Sequence, residues 1–203
     1  CYTLMVDTNE PNPNNRSFTH PDFDPIWAYF EKTKVPLVCH VAVNGHYRAV
    51  PKSFSNNGKN TLELGGDAPT GELGLMTINS SAEIFLSAMI FDGVFARYPG
   101  LKAISMEHGA FWLPSWLKGL DYTASLFKRQ KKYDQLPSEV AKKHLKVSPF
   151  AGEPVGWIIE NVGKEMLVFA SDYPHPEGTS DPIKKFEAKM ENCDESTMEA
   201  FYH

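Results

Sequence analysis

The sequence is short of several things that would place it quickly. It holds three cysteines in 203 residues, Cys1, Cys39 and Cys193, too few and too scattered for a disulfide framework or a thiolate-rich zinc site. A cytoplasmic location is therefore the expectation, and sequons at Asn15 and Asn79, which arise often by chance, do not change it. No window comes near the ~18 consecutive apolar residues of a membrane span. No basic-then-apolar leader precedes a small-residue cleavage site, so a membrane partner is not expected. Basic charge is in deficit, with 20 Lys and Arg against 25 Asp and Glu. The longest basic cluster is the short Lys128-Arg-Gln-Lys-Lys132, which argues against a nucleic-acid partner. Also missing are a Gly-x-Gly-x-x-Gly after a strand and a Gly-Lys-Ser/Thr phosphate loop, the signatures of the commonest nucleotide-binding sheets.

What is present is an ordinary apolar fraction, 42%, enough for one sizeable core. Short β-branched runs alternate with segments of helical period, the pattern of βα units around a mainly parallel sheet. Strands are expected over 2–6, 36–43, 101–106, 143–148 and 166–170. A helix should open at Pro21-Asp-Phe-Asp-Pro25, with Asp24 as N-cap, Pro25 at the first helical position and Ile26, Trp27 and Phe30 on its apolar face. A second should run from a Ser80 or Ser81 cap through Phe95, and a third over 113–133 with a basic end that suits the helix dipole. Shorter helices are expected over 155–162, over 182–190 and from 196 to the end. Residues 7–20 and 44–79 read as loops, the second long enough to carry ligand contacts. Five strands with intervening helices fit an open doubly wound sheet or an incomplete (β/α)8 barrel. The chain begins at Cys1 and runs straight into a strand-like stretch, as a fragment would.

Polar residues at strand ends are the candidates for chemistry. His40 interrupts the apolar run Val35-Pro-Leu-Val-Cys-His-Val-Ala-Val43, where a histidine needs partners for both ring nitrogens or a metal; the alternative is a satisfied core histidine. Glu107 and His108 follow the third strand. On an extended backbone neighbours point to opposite sides, so one of the two faces a barrel interior; the alternative is a solvated pair at a turn. Asp172 follows the fifth strand, in Ser171-Asp-Tyr-Pro-His-Pro-Glu-Gly178, with two prolines holding His175 close. A fixed carboxylate there can ligate a divalent cation and accept a proton; the alternative is an Asp capping the next turn. Nitrogen and oxygen ligands without thiolates suit Zn2+, with Mn2+ as the other choice.

At these residues the sequence resembles the amidohydrolase 2 family, the metal-dependent TIM-barrel group that includes aminocarboxymuconate semialdehyde decarboxylase and related hydrolases. The likeness is carried by Pro21-x-Phe-x-Pro25-x-Trp-Ala28, by Val-Pro-x-x-x-His40, by Pro99-Gly-Leu-Lys102 leading to Glu107-His-Gly-Ala-x-Trp112-Leu-Pro114 and Leu120-Asp121, and above all by Ser171 to Gly178. It implies a single α/β domain over 1–203, a (β/α)8 TIM barrel of the metal-dependent hydrolase type that is incomplete here. Residues 2–6 would be barrel strand four, His40 would lie on strand five and Asp172 on strand eight, with strands one to three ahead of Cys1. It implies His40, Asp172 and His108 as metal ligands, with Glu107 as the substitute for His108. The family's first-strand His-x-His pair occurs nowhere in this chain.

The function implied is a metal-dependent hydrolase in which activated water attacks a small organic substrate, Asp172 shuttles the proton and His108 or His175 polarises the substrate. A non-oxidative decarboxylase is the alternative, and an inactive fragment or non-catalytic binding barrel is the alternative of another class. Trp112, Tyr173 and Arg48 are expected as pocket walls, and a homodimer is expected from the family and from helix-face aromatics such as Trp116 and Phe127.

Overall fold

The computed structural model describes residues 4–6, 16–41, 71–173, 175 and 179–203. Arg48 and most of the expected 44–79 loop lie outside the described residues. Four short strands, β1 (Leu4–Val6), β2 (Leu37–His40), β3 (Ala103–Met106) and β4 (Leu145–Val147), form one sheet. All neighbours are parallel, and they lie side by side in chain order. A doubly wound sheet reverses its order at a switch point; none occurs among these strands.

Helices join the strands. They are α1 (Asp24–Thr33), α2 (Gly71–Met76), α3 (Ser80–Phe91), α4 (Val94–Arg97), α5 (Leu113–Leu126), α6 (Pro137–His144), α7 (Val155–Val162), α8 (Pro182–Lys189) and α9 (Glu195–Tyr202). The sheet alternates with period two. Leu37 and Cys39 of β2, Ala103 and Ser105 of β3, and Leu145 and Val147 of β4 are buried. Apolar helix residues, among them Trp27, Leu86, Leu113 and Ile158, join most of these strand positions in one core. His40 and Met106 occupy the alternate, half-buried positions. His40 is thus not enclosed in the core, as its apolar run suggested.

Several expected boundaries move, each for a local reason. Asp24 does not cap α1; its carboxylate takes Arg97 Nη2 at 2.9 Å. Neither Ser80 nor Ser81 is the cap of α3, which follows Asn79, whose amide donates to Glu83 Oε1. The expected run through Phe95 breaks at Gly93 (φ 76°), a conformation glycine adopts without strain. The helix from Leu113 stops at Leu126, and its basic tail lies beyond it. Residues 71–76, expected as loop, are α2. Together with α3 they make a stretch, Gly71–Phe91, apolar and long enough for a membrane span. A turn at residues 77–79 splits it, and α3 buries Phe85, Leu86, Met89 and Ile90 in the core.

The first residues of the expected 143–148 strand belong to α6, which the sequence reading missed. Pro137 begins it, and Asp121 clips it to α5 by accepting from Ser138 N at 2.9 Å and Ser138 Oγ at 2.7 Å. The expected strand over 166–170 is replaced by a 3-10 turn, Lys164–Met166, and an extended segment. That segment forms one parallel bridge, Val147 to Leu167, and Val168 N donates to Val147 O at 3.1 Å. Phe169 N donates instead to Phe201 O of α9, at 2.9 Å. On an extended backbone Phe169 N points away from β4, so this bond ties the opposite edge of the segment to α9.

Candidate metal centre

The register aligns strand ends. His40, the last residue of β2, lies opposite Met106, so Glu107 leaves β3 one step beyond it. Val147 bridges to Leu167, and that segment delivers Asp172 at the same edge. These are the C-terminal ends of the strands, where parallel α/β folds gather their functional groups.

Backbone strain sits at the carboxylates. Glu107 and Asp172 have φ of 58° and 55°, left-handed values that cost a non-glycine residue about 1 kcal/mol or more. The turn at Glu107 resolves the pairing with His108. Glu107 Oε1 faces His40 Nε2 at 3.1 Å. His108 is buried, with Nδ1 2.9 Å from Ser105 Oγ, and its Nε2 has no hydrogen-bond partner among the described residues.

His175 Nδ1 lies 3.2 Å from Asp172 Oδ1 and 3.9 Å from Glu107 Oε1. Glu107, Asp172 and His175 bring one ligand atom each to within 4.8 Å of one another. Around an ion with bonds of about 2.1 Å, neighbouring ligands lie about 3.0–3.4 Å apart; the 3.2 Å spacing falls in that range and the 3.9 Å spacing exceeds it, so the three groups would draw together to hold a divalent cation. The state of His40 fits as well. Its Nδ1 is 2.7 Å from Val41 O, and a carbonyl only accepts, so Nδ1 carries a proton. Nε2 then donates to Glu107 Oε1 while it is protonated, and once deprotonated it is the nitrogen a metal would take.

The electrostatics agree. Burial raises the Glu107 pKa, but the hydrogen bond and charge of His40, the hydrogen bond with Asp172 and the charge of His175 outweigh it and leave it below the ordinary value. His108 is pushed down to about 4, first by burial and then by the charge of His40, against the pull of Glu107. It is a neutral imidazole at pH near 7.

A cleft of about 160 Å3 opens beside these groups, lined among others by Met106, Glu107, Ser148, Phe150, Ala170 and Asp172. Of the expected walls, Trp112 is buried elsewhere. Its indole N–H donates to Gly109 O at 2.8 Å, and its ring packs on Trp116 at 5.2 Å. Tyr173 is 78% exposed and does not line the cleft.

One residue at the site escaped the sequence reading. Glu153 accepts from Ala110 N at 2.9 Å, Phe111 N at 3.0 Å and Phe150 N at 2.9 Å. Burial raises its pKa against the pull of those amides. Its only sequence signal is a glutamate two residues before a helix, which is commonplace.

Comparison with known proteins follows this geometry. The family model for amidohydrolases matches residues 6–203. A search of curated proteins finds no match. Among solved structures, an amidohydrolase from Mycobacterium avium subsp. paratuberculosis aligns with TM-score 0.80 and 23% identity, over 99% of this chain and 49% of its own. A 5-carboxyvanillate decarboxylase from Sphingomonas paucimobilis aligns with TM-score 0.64 and 23% identity, over 96% of this chain and 54% of its own. Another, from Novosphingobium aromaticivorans and complexed with manganese and 4-hydroxy-3-methoxy-5-nitrobenzoic acid, gives 0.67 and 22%, over 98% and 53%. The chain spans about half the length of these structures, and the likeness at this identity shows a shared α/β fold.

Proposed function

The chain belongs to the amidohydrolase family, and from that premise we propose that it carries part of a metal-dependent hydrolase acting on a small organic substrate. The observation that carries this reading is the convergence of Glu107, Asp172 and His175 within 4.8 Å at one sheet edge, with His40 Nε2 on Glu107. The uninterrupted parallel strand order supports placing β1 to β4 as strands four to seven of a (β/α)8 barrel, with the segment before Asp172 as strand eight.

In this reading His40, Glu107, Asp172 and His175 hold a divalent cation, and Glu107 takes the role that the sequence offered first to His108. The cation, when bound, polarises a substrate oxygen and lowers the pKa of water. Asp172 accepts the proton released in the attack, because its carboxylate faces His175 at the mouth of the cleft. His108 stays neutral; its Nε2, buried and without a hydrogen-bond partner among the described residues, stands behind Glu107 and does not line the cleft, so its part is to support the Glu107 turn. Oxygen and nitrogen ligands admit Zn2+ or Mn2+. Manganese is the first choice for a test, since the Novosphingobium structure contains it.

A second reading is favoured by that same complex, a decarboxylase holding a nitrobenzoic acid. Here the site grips a substrate carboxylate and a neighbouring oxygen, and Asp172, in its protonated form, supplies a proton to carbon; His108, held neutral, does not take the role the sequence also offered it. The deciding assay gives the full-length, Mn2+-loaded protein a panel of small esters, lactones and hydroxybenzoates, with Asp172→Asn beside it. Hydrolysis of an ester or lactone, lost by 100-fold or more in the variant, supports the first reading. CO2 release supports the second, and turnover unchanged by Asp172→Asn contradicts both.

A further inference from the structure

Glu153 takes no part in the chemistry above, yet it ties together the two loops that border the cleft. It lies in the connection from β4 to α7, and its Oε1 accepts from Ala110 N at 3.1 Å and Phe111 N at 3.0 Å, in the turn from β3 to α5. Its Oε2 accepts from Ala110 N and from Phe150 N, both at 2.9 Å. The first loop begins at Glu107; the second supplies Phe150 to the cleft.

The space between the loops is filled. Gly109 has φ of 63°, and a Cβ there would lie 2.7 Å from Glu153 Oε1 and 3.0 Å from the Phe150 ring. Glycine is required twice over, by backbone conformation and by the carboxylate behind it. Glu107, two residues earlier, has φ of 58°, and such a conformation persists only where its surroundings over-determine it. On the N-terminal side of that turn His108 is held by Ser105 Oγ, and on its C-terminal side the amides of Ala110 and Phe111 are held by Glu153.

We propose that Glu153 is a positioning residue, whose carboxylate clips the 109–111 turn to Phe150 and so holds Glu107 in place as a metal ligand. The inference rests on the metal-centre reading above. Residues that orient ligands from outside the coordination sphere are worth about 10- to 100-fold in metal affinity, which sets the size of the effect.

The test measures Mn2+ affinity and the electron paramagnetic resonance line shape of bound Mn2+ in the full-length protein. Its variants are Glu153→Gln, Gly109→Ala and Leu86→Ala, the last a core change in α3 chosen for comparable loss of stability. Expected are a loss of roughly 10-fold or more in affinity and an altered line shape for Glu153→Gln, with Leu86→Ala retaining both. Gly109→Ala disturbs the same clip from the opposite side and should do likewise. It also carries the test should Glu153→Gln fail to fold. Mn2+ binding by the wild type, with both site variants no weaker than the core control, overturns the positioning role alone. Absence of Mn2+ binding by the wild type overturns the metal-centre reading and the positioning role with it.

Discussion

Two buried histidines illustrate how single residues set the response of the molecule to pH. His108 is held down to about 4, chiefly by burial. His144, its Nδ1 2.7 Å from Leu101 O and its ring 4.8 Å from that of Phe95, is lowered by burial against that hydrogen bond, with Lys102 and Lys143 adding to the shift. Unfolded, both take up protons near 6.5. Below that pH the unfolded chain binds more protons than the folded one, so stability falls as pH falls. The contribution is complete above about 6.5 and, for His108, is lost progressively toward about 4, up to about 3 kcal/mol in all. Denaturant unfolding at about pH 7.5 and about pH 5 should show the wild type weaker at the lower pH, and His144→Gln with a smaller difference. Equal differences in both proteins would remove the assignment to His144. At this scale much was legible: His40, Asp172 and His175 stand out as polar residues beside apolar runs. The choice between Glu107 and His108 was not, because alternation assumes an extended backbone and Glu107 leaves it. Glu153 was invisible because two of its three partners, Phe111 and Ala110, are 42 and 43 residues away.

Among the elements, the segment that carries Asp172 depends on α9. Phe169 N is held by Phe201 O, and the Phe169 ring packs against Phe186, Phe201 and Tyr202 at centroid distances of 5.5, 6.2 and 5.2 Å. Phe201 is fully buried. Truncation to alanine leaves a cavity under the segment and should cost about 3–5 kcal/mol. Phe201→Ala should also raise the hydrogen-exchange rate of the Phe169 amide. A loss under about 1 kcal/mol, with exchange unchanged, would show that α9 does not support this segment. Element types were readable from periodicity, as with α7, whose expected bounds hold. The 166–170 strand was not, because an apolar run does not reveal whether its donors meet a strand or a helix end. α6 was lost for the related reason that its short amphipathic turn runs directly into β4.

At the scale of the molecule, strand order does not reverse among the described residues. The consequence is that His40, Glu107, Asp172 and His175, spread over 136 positions of sequence, meet at one place. An α/β alternation with parallel strands was evident before any coordinates, because the βα rhythm survives errors in boundaries. Convergence of the site depends on register, which a single sequence does not display. The most direct test is X-ray diffraction at the manganese absorption edge on crystals of the protein grown with Mn2+. An anomalous peak within bonding distance of Glu107, Asp172 and His175 is the expected result. A peak elsewhere, or none at those residues, would contradict the assignment of a metal centre.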